Sequence, residues 1–506
     1  MKKISILLML ALVAGFTACG KEEEPVEKKE EQMIVSSEEE EIIEEVSVEN
    51  EITKIVLSNS EILVNEEKIS EEPESDVYKA NDIIFYLEDQ GITYGEGTTA
   101  DEHSQIEANA HTVIHITKPG TYEISGTMEA GQIFVDLGEE AEKDPEAVVN
   151  LILNNVDITC TVAPAILFYN VYECAEITDE EEATMEVDTS TAGANITIAD
   201  DSKNLIYASY VAKIFKSCEL NEEGTQVVDS KKLHKFDGAV YSRKSMNVYG
   251  DTGVLNITAE NEGLCSDMHM TIHGGNMNIR SGNDGINTSE DNVSVFTMND
   301  GNLNITVTGE TGEGDGIDSN GWLLINGGTV KSFACATSMD AGIDADKGIY
   351  INGGTVVAAG NMGAEIAGGT QASNSFMGAL EAKGKYEVKD AENQVIMEVS
   401  PRNACTILTV SAEGMTEEGS YTLWQGNEQI AAGMSGAMGG PGMERFPGGE
   451  RPEGFPEGGM PEDFPEGMEP PQGLGNGERQ TMPPEGFDGE RPPMPEGVEP
   501  LEKPEE

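Results

Sequence analysis

Four times between residues 262 and 343 the chain returns to one short phrase: an acidic residue or its stand-in, a glycine, then an apolar residue. The phrases are Glu262-Gly263-Leu264, Asp284-Gly285-Ile286, Asp315-Gly316-Ile317 and, after Asp340, Ala341-Gly342-Ile343. Each opens a strand-like run, a turn and a second run. The turns repeat too, as His273-Gly274-Gly275-Asn276, Asn299-Asp300-Gly301-Asn302, Asn326-Gly327-Gly328-Thr329 and Asn352-Gly353-Gly354-Thr355. Self-similarity at a period of roughly 20 to 30 residues marks a solenoid, in which each unit buries its apolar face only against its neighbours.

Within each unit the apolar residues alternate, as in Met270/Ile272 then Met277/Ile279, Leu323/Ile325 then Val330, and Ile349/Ile351 then Val356. A period of two means strands with one buried face. Gly or Asn at every corner supplies the positive φ of tight turns. No stretch has the spacing or length of a crossover helix. These observations predict an all-β chain whose coils pair in parallel, a parallel β-helix over 80–372. A sandwich of antiparallel hairpins is the alternative, because Asn-Gly and Asp-Gly also make hairpins; it leaves the shared register of unlike coils unexplained. Weaker strands precede the repeat at 121–125, 132–137, 148–153, 194–198 and 238–242, so the folded unit is expected to begin near residue 80. Insertions at 175–192 and 218–236 should loop out. The segment 373–432 loses the repeat but keeps strand-like runs, and is expected to form a small C-terminal β cap over an otherwise open edge.

The ends differ in kind. Lys2 and Lys3 precede an apolar run over 4–16 and then Phe16-Thr17-Ala18-Cys19-Gly20. The run is too short to span a bilayer, and its ending is similar to the lipobox of bacterial lipoproteins. Residues 1–19 therefore read as a signal peptide, with Cys19 the lipidation site, which places the protein on the extracellular face of the cell membrane and in contact with it through the lipid anchor alone. Residues 20–79 are rich in glutamate, and 433–506 are loose Pro-Glu-Gly units with methionine. Neither composition can bury enough apolar surface to offset chain entropy, so both acidic ends are expected to be disordered. With 94 acidic against 30 basic residues the formal charge is -64, which excludes nucleic acid as a partner and favours divalent cations. Beyond Cys19 the cysteines are scattered without zinc-type spacing, and the chain is expected to act as a monomer.

Stacking turns position in the repeat into position in space, because neighbouring coils lie about 4.8 Å apart. Glu262, Asp284 and Asp315 fall in one column; Asn287, Asp318 and Asp344 fall in a second, with Asp340 and Asp346 flanking the last coil. Like charges so close are unfavourable without a cation, and calcium takes six to eight oxygen ligands from such groups. Asp284, Asp315, Asp318, Asp340, Asp344 and Asp346 are thus candidate calcium ligands. Each aspartate taken singly could equally be a turn former bonding its own backbone. His269 and His273 lack partners at ligand spacing and are expected at the surface. Alternation with Leu323 and Ile325 points Trp322 outward, where it could stack on a sugar or pack beneath a loop; Lys331 and Lys347 are the lysines nearest the acidic corners and join it as candidate carbohydrate-binding residues.

The phrases Gly120-Thr121-Tyr122-Glu123-Ile124-Ser125-Gly126-Thr127, Gln132-Ile133-Phe134-Val135-Asp136, Leu151-Ile152-Leu153-Asn154-Asn155-Val156 and Ala239-Val240-Tyr241-Ser242 stand, with the Asp-Gly-Ile and Asn-Gly-Gly-Thr repeats, in a recognisable order. Over 80–360 the chain resembles the bacterial cell-surface carbohydrate-binding β-helix proteins first described in a cellulolytic clostridium. The resemblance implies a right-handed parallel β-helix, calcium along it, binding of an acidic plant polysaccharide such as polygalacturonate, and structural kinship to calcium-dependent pectate lyases. A lyase would need a lysine or arginine base beside the calcium, and no basic residue here stands in a motif that singles it out. A non-catalytic adhesive spacer is the other alternative.

Overall fold

A computed structural model describes residues 52–175 and 179–435. Cys19, the signal peptide, the linker up to residue 51 and the tail from 436 lie outside the described residues. Among the described residues the only helical turns are Gln105–Asn109 and Glu139–Lys143, of five residues each, and no helix is long and apolar enough to cross a membrane. The chain is all-β, and most of its strand pairs are parallel.

Three columns of parallel strands carry the fold. One runs from Ala194–Ile198 through Met246–Gly250, Met270–Ile272, Val295–Met298 and Trp322–Ile325 to Gly348–Ile351. A second runs from Lys203–Ala208 through Val254–Ala259, Asn276–Ser281, Asn302–Val307 and Thr329–Phe333 to Thr355–Gly360. The third begins at Thr112–Ile116 and passes Gly131–Asp136, Ile166–Asn170, Gly238–Ser242, Glu262–Ser266 and Ile286–Thr288 to Ile317–Ser319. From residue 238 on, each pass of the chain adds one strand to each column, which is what an unbroken register over unlike coils requires. This rules out antiparallel hairpins for the repeat.

The alternation read from the sequence is the reason the columns hold. Leu151, Ile196, Val248, Ile272, Met298, Ile325 and Ile351 are register partners in the first column and all are buried. Ile133, Ile166, Val240, Leu264, Ile286 and Ile317 do the same in the third, with Ile343 bridged to Ile317 at its end. Each such side chain contributes ~1.5–3 kcal/mol by leaving water, so the ladders fix which residues face outward beside them.

The glycines have two different jobs. Gly275, Gly301, Gly328 and Gly354 have φ of 95°, 95°, 73° and 83°, as tight turns demand. Those of the acidic phrases lie outside that region. A Cβ on Gly316 would sit 1.8 Å from Ser332 Oγ and 2.3 Å from the Gly342 carbonyl oxygen, so glycine is there because the corner of one coil abuts the next. The expectation of positive φ at every corner is corrected accordingly.

The start of the fold is also corrected. Thr53–Leu57 pairs in parallel with Gly120–Met128, and Ile55 and Leu57 are buried. Alternation within one short apolar patch outweighs the glutamate-rich surroundings that suggested a linker up to 79. The insertion at 218–236 belongs to an antiparallel hairpin, Val211–Leu220 with Val227–Phe236. Beyond the repeat, Cys405–Ser411 lies antiparallel on Thr355–Gly360 and carries Ser373–Leu380 on its other side. A four-stranded antiparallel sheet over 386–432 packs Tyr386, Val388 and Leu423 into a second core with Phe376 and Leu408. Met434–Ser435, expected in the tail, pairs with Ser373–Leu380. The six described cysteines are free.

Candidate functional site: an acidic corner

The third column sets the site. One residue past its isoleucine ladder stand Cys265, Asn287 and Asp318 in register, and the Ile317–Ile343 bridge carries the same position on to Asp344. Carboxylate oxygens of Asp315, Asp318 and Asp344 lie within 4.8 Å of one another. No lysine, arginine or histidine forms an ion pair with any of the three among the described residues.

The aspartates two or three places before the ladder residues do different work. Asp284 Oδ1 accepts the backbone N–H of Asp315 at 2.7 Å, and Asp315 Oδ1 accepts that of Ala341 at 2.6 Å. Asp340 Oδ2 accepts from the Gly314 N–H at 2.6 Å and from the Ser338 hydroxyl. These carboxylates therefore tie one coil to another while leaving further lone pairs free. At Asp318 and Asp344 the backbone N–H groups of the residues that follow, Ser319 and Ala345, lower the carboxyl pKa values in part.

Burial without a counter-charge shows in the acidities. Burial pushes Asp315 up to about 8, against the lowering effect of the Ala341 N–H and with help from the charges of Asp318, Asp344 and Asp340. Asp318 is pushed up to about 7 by burial and then by Asp344 and Asp346. Asp284 stands well above the ordinary range, first through burial and then through Glu262, Asp315 and Asp318; Asp344 is raised for the same first reason. A group of this kind is stable only if it takes up protons or a cation.

Its donor set suits a hard cation. All the side-chain donors are oxygens, as calcium or magnesium prefers, with no nitrogen or thiolate to favour zinc. Asn287 Oδ1, one rung before Asp318 in the same column, is buried and has no hydrogen-bond partner. An orphaned carbonyl oxygen beside unneutralised carboxylates fits calcium, for which Asp315, Asp318 and Asp344 would be the ligands and Asp284 and Asn287 the nearest supplements. A divalent ion held there would offset their charge.

The other expected residues are placed apart. Asp346 is exposed, outside the converging set but close enough for its charge to act on Asp318 and Asp344. Trp322 is half-buried in the first column, with Lys347 Nζ 6.0 Å from its ring centroid. Lys331 is exposed in the second column, between Asn304 and Val357. His269 corrects the surface expectation: it is buried, and its Nδ1 accepts the Val295 N–H at 3.0 Å. His273 is half-buried and stacks on Tyr249 at 4.5 Å.

Sequence reasoning missed the upstream end of the acidic row. That end is Asp237, beyond Glu262, which the column already held: Glu262 is buried, receives the Cys265 thiol at 2.8 Å, and is pushed up to about 8 by burial and then by Asp237. Asp237 has its own cation, Lys235 Nζ at 2.7 Å. Extending the acid-glycine search to Asp237-Gly238 would have found it.

Comparison with known proteins agrees with a sugar-binding role. A family model described as carbohydrate-binding domain-containing protein matches residues 110–209 and 171–430, which together span more than half of the 506-residue chain. A curated relative from Acetivibrio thermocellus, itself described as a carbohydrate-binding domain-containing protein, is 29% identical over 169 residues, 33% of this chain and 45% of the relative. The chain thus spans under half the length of that relative. A solved structure of the polysaccharide lyase-like protein from C. thermocellum, a gadolinium derivative, aligns at 20% identity over 60% of this chain and 83% of that one, with a TM-score of 0.33. By the family match, the chain belongs to the carbohydrate-binding domain-containing proteins.

Proposed function

We propose that this protein binds an acidic, uronate-rich polysaccharide through calcium held at the acidic corner. The observation that carries the reading is the set of Asp315, Asp318 and Asp344, whose carboxylate oxygens converge within 4.8 Å with no protein cation to neutralise them. A chain of formal charge -64 repels an acidic polymer, and a bridging divalent cation removes that repulsion at one place. Membership of the carbohydrate-binding family supports sugar as the ligand class.

In this reading the three strand columns wind as a parallel β-helix. Its hand is right, because parallel crossover connections take that hand in ~98% of cases. The anchor is a lipid at Cys19, which holds a single copy at the outer face of the membrane. Trp322, half-buried with Lys347 Nζ 6.0 Å from its ring centroid, offers a ring to a sugar face.

The test is a pull-down on immobilised polygalacturonate, with calcium or with EDTA. Retention with calcium and release by EDTA is expected; equal retention under both conditions, or none with calcium, overturns the proposal.

A further inference from the structure

Basic residues are scarce in this chain, 30 in 506, yet five of them fall within fourteen positions: Lys231, Lys232, Lys235, Arg243 and Lys244, against Asp237 alone. The fold gathers them. The hairpin strand Val227–Phe236 delivers the lysines, and Arg243 follows the third-column strand Gly238–Ser242. Lys235 is held by Asp237 at 2.7 Å, Lys244 by Glu142 at 2.8 Å, and Lys232 lies 4.0 Å from Asp267.

Arg243 is different. Its backbone N–H donates to Phe168, which fixes it one rung from Tyr169, and its guanidinium lies over the Tyr169 ring at 4.5 Å. No carboxylate forms an ion pair with it among the described residues; Glu142, which feels its charge, is held by Lys244. Beside the same ring, at 6.1 Å, sits His234 of the hairpin, whose Nδ1 is buried without a hydrogen-bond partner. An unpaired guanidinium on an aromatic face, next to an orphaned imidazole nitrogen, lacks an anion with oxygen acceptors.

We propose that Arg243, stacked on Tyr169, forms a carboxylate-binding subsite for an acidic sugar, separate from the acidic corner. Arg243 supplies two parallel N–H donors and the charge, and Tyr169 holds the guanidinium plane in place, with the His234 ring packed beside Tyr169 as a reporter of events there. Lys232 supplies longer-range attraction. Burial and then the Arg243 charge lower the proton affinity of His234. Tyr241, two residues before Arg243, is three register steps from Asp318 along one sheet, ~14 Å at the usual strand spacing. One polymer can therefore touch both sites. The assignment of the anion as a uronate rests on the proposed function above; the site itself rests on the unpaired groups.

The test uses the full chain in EDTA, which silences a calcium corner, with digalacturonate as probe. The ring signals of His234, from protein labelled at histidine, are followed by NMR during titration. A saturable shift is expected in the wild type, with affinity reduced roughly tenfold or more in Arg243→Gln, which keeps the stacked stem but loses the charge. Arg243→Lys should recover only part of it, since the paired donors are gone. Matching circular dichroism for each variant shows that the fold is kept. An unmoved His234, or equal affinity in Arg243→Gln, overturns the subsite. Should the wild type fail to bind polygalacturonate in calcium while His234 still shifts with digalacturonate, the polymer reading falls and the carboxylate site stands.

Discussion

Asp284 Oδ1 accepts the backbone N–H of Asp315 one coil further on, at 2.7 Å. A carboxylate expected as a cation ligand is thus a staple between coils. The two roles separate by substitution. Asp284→Asn keeps an acceptor oxygen and removes a buried charge, whereas Asp284→Ala leaves the Asp315 N–H without its partner, at a cost of about 1–3 kcal/mol. Urea unfolding in EDTA should therefore rank Asp284→Ala below the wild type and Asp284→Asn at or above it. Equal loss in both variants would mean that the charge itself stabilises the metal-free fold.

Acidity gives a second expectation. Asp315 and Asp318 hold their protons up to about 8 and about 7 in the folded chain, while an unfolded aspartate releases its proton near 3.9. Between those values the folded state binds more protons than the unfolded one, so stability falls as pH rises. In EDTA the melting temperature should decline from about pH 4 to pH 8 through these groups, and saturating calcium should flatten the decline. A melting temperature independent of pH in EDTA would contradict the crowding of charge at this corner.

Gly316 tests the packing between coils. An alanine Cβ there would meet Ser332 Oγ at 1.8 Å and the Gly342 carbonyl oxygen at 2.3 Å. The Ser332 hydroxyl can rotate but the Gly342 carbonyl belongs to the backbone of the next coil, so Gly316→Ala should lose ~1–3 kcal/mol or more by urea titration. Near-wild-type stability would show that the coils separate more easily than their register implies.

The chain has two tryptophans, Trp322 near Lys347 and Trp424 in the C-terminal sheet. If sugar stacks on Trp322, polygalacturonate should change the fluorescence of the wild type and of Trp424→Phe, and leave Trp322→Phe unchanged. A response that persists in Trp322→Phe would remove this residue from the binding face.

The repeat made the strand columns legible, because a period of two marks one buried face and identical phrases mark one register. It also brought Asp315, Asp318 and Asp344 together on paper, since column position needs only a constant offset from the ladder isoleucine. What it could not give was direction. Asp284 and Asp340 bond backbone N–H groups of other coils, and Lys331 lies in another column from Asp318; such facts depend on where a strand lies around the coil, which alternation does not encode. His269 escaped for a related reason, because an imidazole that accepts a backbone N–H inside the fold looks, in sequence, like any polar residue after a turn. Composition misled at Thr53–Leu57, where two buried side chains decide the matter and the surrounding glutamates do not.

The most direct measurement is a calorimetric titration of calcium into protein stripped with EDTA, for the wild type, Asp315→Ala and Asp318→Ala. At least one saturable site is expected in the wild type and should be lost in Asp318→Ala, with Asp315→Ala weakened or abolished. Unchanged stoichiometry and affinity in both variants would contradict a calcium site at the acidic corner.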